Sequence, residues 1–246
     1  MAAPIKTKLK RITSWSFSRY AVYRECPLKA KLKFIDRLEE PSSPAMDRGT
    51  VIHKLAEDYV KGTITRMPPD LKKVADILKT CRTFYKRRGD ERQAIAEDSW
   101  AFTGTWEKTV WNDWAKCALR IKLDFAHVEK RDGKTVLIIT DWKTGKFREE
   151  KNAEYLEQLD LYALAGLILY PEVDEAWPRL VYTDQGITYP KTEGEIVYAR
   201  KDVKKLKLEW VKRTAKMLLD TIFAPRPGNY CRHCHFRKAN NGPCKY

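Results

Sequence analysis

An aspartate and a lysine stand two positions apart where the apolar run of LIITDWKTGK, residues 137–146, comes to its end. Alternate side chains of a strand share a face, so Asp141 and Lys143 point together and Trp142 turns to the opposite side, toward core. Just upstream, in CALRIKLDFAHVEKRDGKTVLIITDWKTG, two apolar runs flank Asp132-Gly133, a two-residue hairpin signal. A hairpin that pairs Arg131 with Lys134 sets Asp124 directly across from Asp141, with Cβ atoms about 4.5–5.5 Å apart. Carboxylates that close repel unless a cation or a proton lies between them. A divalent ion clasped by Asp124 and Asp141, with Lys143 at its flank, is one reading. The other is a solvated hairpin face with its charges apart, or a bulge that shifts the register by one.

The surrounding chain must hold these residues in place. SWSFSRYAVYRECPLKAKLKFIDRL reads as a polar entry into a helix, capped by Ser14, Ser16 or Ser18, with a break or new start at Pro27. EEPSSPAMDRG reads as a loop. GTVIHKLAEDYVKG carries Val51, Leu55 and Tyr59 at helical spacing and a stop at Gly62. Further helical pattern covers 70–88, and AIAEDSWAF is a strand containing Glu97. After the hairpin come a helix in EYLEQLDLYALAGLILY, short strands near 177–183 and 195–199, and a long amphipathic helix in DVKKLKLEWVKRTAKMLLDTIF. This order predicts an α/β fold. One domain is expected over 1–246: a basic arm at 1–12, a helical part at 13–90, a catalytic core at 91–200, and a C-terminal helix with a cysteine-rich segment at 201–246.

The charge balance points to the partner. Against 33 acidic residues stand 48 Lys plus Arg, a net charge of +15 spread along the chain. Such a surplus suits a polyanion, most often nucleic acid. No run of about 18 apolar residues and no hydrophobic signal centre are present, so no membrane partner and an intracellular, cytoplasmic location are expected. In that compartment cysteines are thiols by default. Cys231 and Cys234 form a C-x-x-C pair, Cys244 follows, and Cys26 lies far upstream. Four thiolates suit either a [4Fe–4S] cluster or a structural zinc, for which His233 and His235 are also near. Cys81 and Cys117 read as buried small hydrophobes.

Asp141-Trp142-Lys143 preceded by Asp124 resembles motifs III and II of the PD-(D/E)XK nuclease superfamily, and its RecB-like branch in particular. His53 in GTVIHKLAEDY resembles that branch's motif I histidine. Gln158 and Tyr162 in QLDLY resemble its Q-x-x-x-Y motif, whose spacing puts both on one helical face. Cys26-Pro27 with the C-terminal cysteines resembles the iron–sulfur staple of helicase-associated and CRISPR-associated relatives. Two features depart from the pattern: RIKLD lacks the glycine common before the motif II aspartate, and nine residues separate Cys234 from Cys244.

The resemblance implies a restriction-endonuclease-like core, a mixed sheet flanked by helices. It implies Mg2+ or Mn2+ held by His53, Asp124, Asp141 and the Trp142 carbonyl. Lys143 would be the catalytic cation, Glu97 a further metal-site or water-positioning acid, and Gln158 with Tyr162 a brace. Cys26, Cys231, Cys234 and Cys244 would hold [4Fe–4S]. The activity implied is DNA phosphodiester hydrolysis by an exonuclease acting on single strands or free ends, in recombination, repair or phage-type replication and with a possible protein partner from those processes. A structure-specific or nicking endonuclease and an inactive DNA-binding accessory protein are the alternatives.

Overall fold

The computed structural model describes residues 10–87 and 94–246. Most of the expected basic arm (1–9) and the end of the expected helical part (88–90) lie outside the described residues. The chain divides into two compact units. The smaller joins the chain up to Pro41 with Trp210–Tyr246, and the larger is Ser42–Glu209. The segment 13–90 therefore contributes to both.

In the smaller unit, Ser16 starts α1 (Phe17–Glu25) by accepting a hydrogen bond from the Arg19 amide at 3.3 Å. Cys26 ends that helix and caps α2 (Pro27–Phe34), where Pro27 sits at the first position, which needs no N–H. The unit's aromatic core gathers on Trp210. Trp15 stacks on it at 5.5 Å between ring centroids, and Phe17 and Tyr20 meet it edge-on at 6.3 and 5.7 Å. The Tyr23 hydroxyl donates to Asp220 at 2.7 Å.

The larger unit begins with α3 (Pro44–Lys61), which Ser43 caps and Gly62 ends in a left-handed conformation, φ 85°. Ser43-Pro44 is itself a helix-start signature, so α3 takes in residues that the two prolines of EEPSSPAMDRG made look like loop. Its buried face is Ile52, Ala56, Tyr59 and Val60, while Val51 is exposed. A 3-10 turn (Pro69–Val74) leads into α4 (Ala75–Lys86).

Next come β1 (Ala94–Phe102), β2 (Leu119–Arg131), β3 (Lys134–Lys143), α5 (Glu149–Leu169), β4 (Glu175–Tyr182), β5 (Ile187–Tyr189) and β6 (Tyr198–Ala199). The sheet order is β1-β2-β3-β4-β5, with β6 also on β4. The β3–β4 pair is parallel; β1–β2, β2–β3, β4–β5 and β4–β6 are antiparallel. The short β5 was not foreseen. The last long helix is α6 (Val203–Leu219), and no helix among the described residues is long and apolar enough to cross a membrane.

Helices cover both faces of the sheet. On one, Ile52, Val60, Leu71 and Leu78 pack against Phe125, Trp142 and Val181. On the other, Leu159 of α5 packs against Leu180 and Tyr182. This explains why β3 is apolar and buried along most of its length, as a strand between two helical layers must be. Gly166 lets α5 lie close on β3, since a Cβ there would come within 2.3 Å of Leu137 Cδ2. The architecture is the expected α/β one, a mixed sheet flanked by helices.

Candidate active site

The hairpin has the expected register. Its ladder runs from Arg131–Lys134 to Phe125–Thr140, one pair short of the two aspartates. There Asp124 Oδ2 accepts the Trp142 amide at 2.8 Å, so a side chain continues what the ladder began. Trp142 is core, as its parity requires. Asp124 Oδ1 lies 3.1 Å from His53 Nδ1, which α3 delivers, and His53 Nδ1 is 4.0 Å from Glu97 Oε1. Ligand atoms of His53, Glu97 and Asp124 all lie within 4.8 Å of one another, a spacing a metal ion could bridge. The donor set of one imidazole and two carboxylates suits a hard divalent cation.

Glu97 reaches this cluster from a strained backbone. Its φ is +48°, in the left-handed region, although it lies within β1. The register is the same on either side, Ala96 against Phe125 and Asp98 against Leu123, so no residue has been inserted. A non-glycine residue held this way costs on the order of 1–3 kcal/mol and persists only where its surroundings impose it. Burial, then the charge of Asp124, push the Glu97 carboxyl up to about 7. Burial lowers the His53 pKa, but the hydrogen bond and charge of Asp124, with Asp141 and Glu97 beyond, carry it above its ordinary value. Below about pH 7 the Glu97 carboxyl favours its proton, and the raised His53 pKa favours one there too; a cation would displace both. Affinity for a divalent cation should therefore rise as the pH passes upward through about 7, with proton release on binding. Calorimetric titration in buffers of different ionisation enthalpy measures both.

Asp141 stands outside the tight triad. Its Oδ2 is paired with Lys143 Nζ at 2.7 Å without directed hydrogen-bond geometry. Burial lifts the Asp141 carboxyl, Lys143 opposes this, and Asp124 adds to it. For Lys143, burial pulls downward, but Asp141 outweighs it and the ammonium is retained. Lys143 also donates to Gln158 Oε1 at 3.0 Å, and Gln158 Nε2 donates to Tyr162 OH at 2.6 Å. The chain of contacts thus runs from β3 into α5. Burial holds the Tyr162 hydroxyl well above its ordinary pKa, so it stays neutral beside the acids.

Two supports were not read from sequence. The Tyr155 ring lies 4.6 Å from Lys143 Nζ, one turn before Gln158 on α5. Asp184, in the turn after β4, accepts from the Gly145 amide at 2.6 Å and from both ends of the Arg48 fork at 2.8 and 2.5 Å. Gly145 has φ +90°, which explains the Thr-Gly break after Lys143. Spacing along α5 could have suggested Tyr155, three residues from Gln158. Asp184 carried no signal beyond its turn.

A sequence profile of the PD-(D/E)XK nuclease superfamily matches residues 14–239. The chain belongs to this superfamily. Two solved structures are similar over most of their length. One, called "Putative exonuclease", from Eubacterium rectale, is 12% identical with a TM-score of 0.47 and covers 95% of this chain and 93% of its own. The other, SSO0001, is 14% identical with a TM-score of 0.38 and covers 94% of this chain and 86% of its own. Among curated proteins, none is significantly similar to this sequence. Superfamily membership and the metal-competent triad together make this a nuclease-type hydrolase site.

In the smaller unit, Cys26, Cys231, Cys234 and Cys244 line one pocket with Leu28, Leu32 and Phe236. Among the described residues, no three of these sulfurs lie within 4.8 Å of one another, so they are not drawn together as around a single ion. The Arg226 amide points at Cys26 Sγ (3.5 Å) and the Gly228 amide at Cys231 Sγ (3.4 Å). Cys81 and Cys117 are buried, as expected of small hydrophobes.

Proposed function

We propose that the protein is a Mg2+- or Mn2+-dependent deoxyribonuclease, an exonuclease that prefers single-stranded ends. The observation that carries this reading is the meeting of the His53–Glu97–Asp124 triad with buried Asp141 and its partner Lys143 at one sheet end. His53, Glu97, Asp124 and Asp141, with the Trp142 carbonyl, would hold the metal. A bound divalent ion supplies a more acidic water and offsets charge on the phosphate. Lys143, kept protonated by Asp141 and aimed by Gln158, Tyr155 and Tyr162, stabilises the charge that builds on the phosphoryl oxygens. Asp124 fixes the His53 ring and the Trp142 amide at once. The surplus of cations, +15 over the chain, holds the DNA backbone and makes binding weaken steeply with salt. Recombination, repair or phage-type replication would supply such ends.

Strand polarity apart, the test is a time course on end-labelled linear and closed circular single-stranded DNA with Mn2+ or Mg2+. Shortening of the linear substrate with the circle spared is expected. Cutting of the circle would instead make the enzyme an endonuclease.

The same reading assigns the four cysteines a structural [4Fe–4S] cluster. Four cysteines lining one pocket of mainly apolar surface and two amides directed at sulfur are the observations behind it. Anaerobically purified protein should carry iron and absorb at about 400 nm; stoichiometric zinc in a colourless protein would contradict the assignment.

A further inference from the structure

Beyond the metal site, the β1–β2 connection presents a second chemical surface. Residues 103–118 read TGTWEKTVWNDWAKCA. Trp106 is buried, but Trp114 is 75% exposed and its neighbour Val110 70%. The segment is nevertheless well tied. The Thr109 amide reaches Ala101 O at 2.9 Å, the Ala118 amide Phe102 O at 2.8 Å, and the Cys117 amide Asp113 O at 2.8 Å. Arg120, itself buried, donates from Nε and Nη2 to Trp111 O at 3.1 Å each. Its guanidinium lies 4.3 Å from the Trp114 ring centroid. The indole is thus backed by a fixed cation while most of its surface stays in water.

The location gives this a meaning. Arg120, Lys122 and Asp124 alternate along one face of β2. Across from them on β1 lie Ala101 and Ser99, followed by Glu97 at the one position, opposite Asp124, where the ladder is interrupted. Ser99 and Lys122 are exposed. Moving from the acidic site along this face, one meets an open Ser99–Lys122 pair and then the Trp114 platform, over about 13 Å of strand. A cation followed by an open aromatic face matches one ligand, a single nucleic-acid strand. Its phosphate takes the cation and its unpaired base takes the ring. A duplex has its bases stacked inside and offers no such face.

We propose that Trp114, backed by Arg120, is a base-stacking platform for single-stranded DNA next to the scissile phosphate, and that Lys122 takes a phosphate between platform and metal site. This rests on the nuclease reading and adds where its strand preference comes from. Trp114 is a positioning residue and touches none of the reacting atoms.

The test is fluorescence anisotropy with labelled single-stranded oligonucleotides, using full-length Asp141→Asn protein so that nothing is cut. Adding Trp114→Ala should weaken binding roughly five- to hundredfold without changing the slope of log affinity against log salt. Trp114→Phe should recover most of the loss. Lys122→Ala should flatten the slope by about 0.7, the share of one phosphate on a single strand. Moving one abasic site along the strand should find a position that weakens binding with Trp114 present and has no effect in Trp114→Ala. Equal losses in the Ala and Phe variants, or unchanged binding in Trp114→Ala, would overturn the platform. If Asp141→Asn binds no single-stranded DNA and wild type cuts none, it is the nuclease reading that fails. Cleavage by wild type with Trp114→Ala indistinguishable from it would sink the platform alone.

Discussion

Replacing Lys143 with Ala should slow DNA cleavage by at least roughly a hundred- to a thousandfold, the range lost when one preorganised donor is removed from a charge-stabilising site. Single-stranded DNA binding should change little, because one half-buried ammonium adds little to a chain with a surplus of +15. Lys143 is held on three sides, by Asp141 at 2.7 Å, Gln158 at 3.0 Å and the Tyr155 ring at 4.6 Å. The same variant leaves the buried Asp141 carboxylate without its partner, and breaking such a pair is typically worth about 3–5 kcal/mol of stability. Neutralising the acid as well, in Lys143→Ala/Asp141→Asn, should recover most of the melting temperature and none of the cleavage. Lys143→Arg should not rescue, because a planar fork cannot occupy a place shaped for a compact ammonium. Single-turnover rates with parallel thermal melts separate the two effects.

Asp124 should show an effect of similar size for a different reason. It is bonded twice, to His53 Nδ1 at 3.1 Å and to the Trp142 amide at 2.8 Å. Asp124→Asn keeps an acceptor for that amide and removes the charge. It should fold normally, bind Mn2+ at least about a hundredfold more weakly, beyond what loss of an outer-shell partner costs, and lose cleavage with it. Asp124→Ala also strands the Trp142 N–H, for a further loss of about 1–3 kcal/mol. Both variants remove the hydrogen bond and charge that raise the His53 pKa, so that value should fall, which NMR titration of the imidazole can follow.

Much of this site was legible because it depends on short-range rules. Asp132-Gly133 fixed the hairpin, strand parity put Asp141 with Lys143 and sent Trp142 to the core, and helical spacing joined Gln158 to Tyr162. The opposition of Asp124 to Asp141 was legible only in part. The ladder gives way one pair early, Asp124 turns to His53 and Glu97, and Asp141 turns to Lys143. That choice is made by burial and charge among residues far apart in sequence. The left-handed backbone of Glu97 left no trace in AIAEDSWAF, since nothing in a glutamate marks a positive φ. Asp184 and Arg48 meet across more than a hundred positions to brace the turn at Gly145, and neither residue type announces it. Helix boundaries followed local chemistry where it was clean, at Ser16, Pro27 and Gly62, and misled where prolines made the start of α3 look like loop.

Whether these side chains hold a catalytic divalent ion is decided by anomalous diffraction from crystals soaked in Mn2+ near pH 8. The expected result is a manganese peak among His53, Glu97, Asp124 and Asp141 that disappears in Asp124→Asn crystals. Saturating Mn2+ with no peak among those four residues would overturn the metal site.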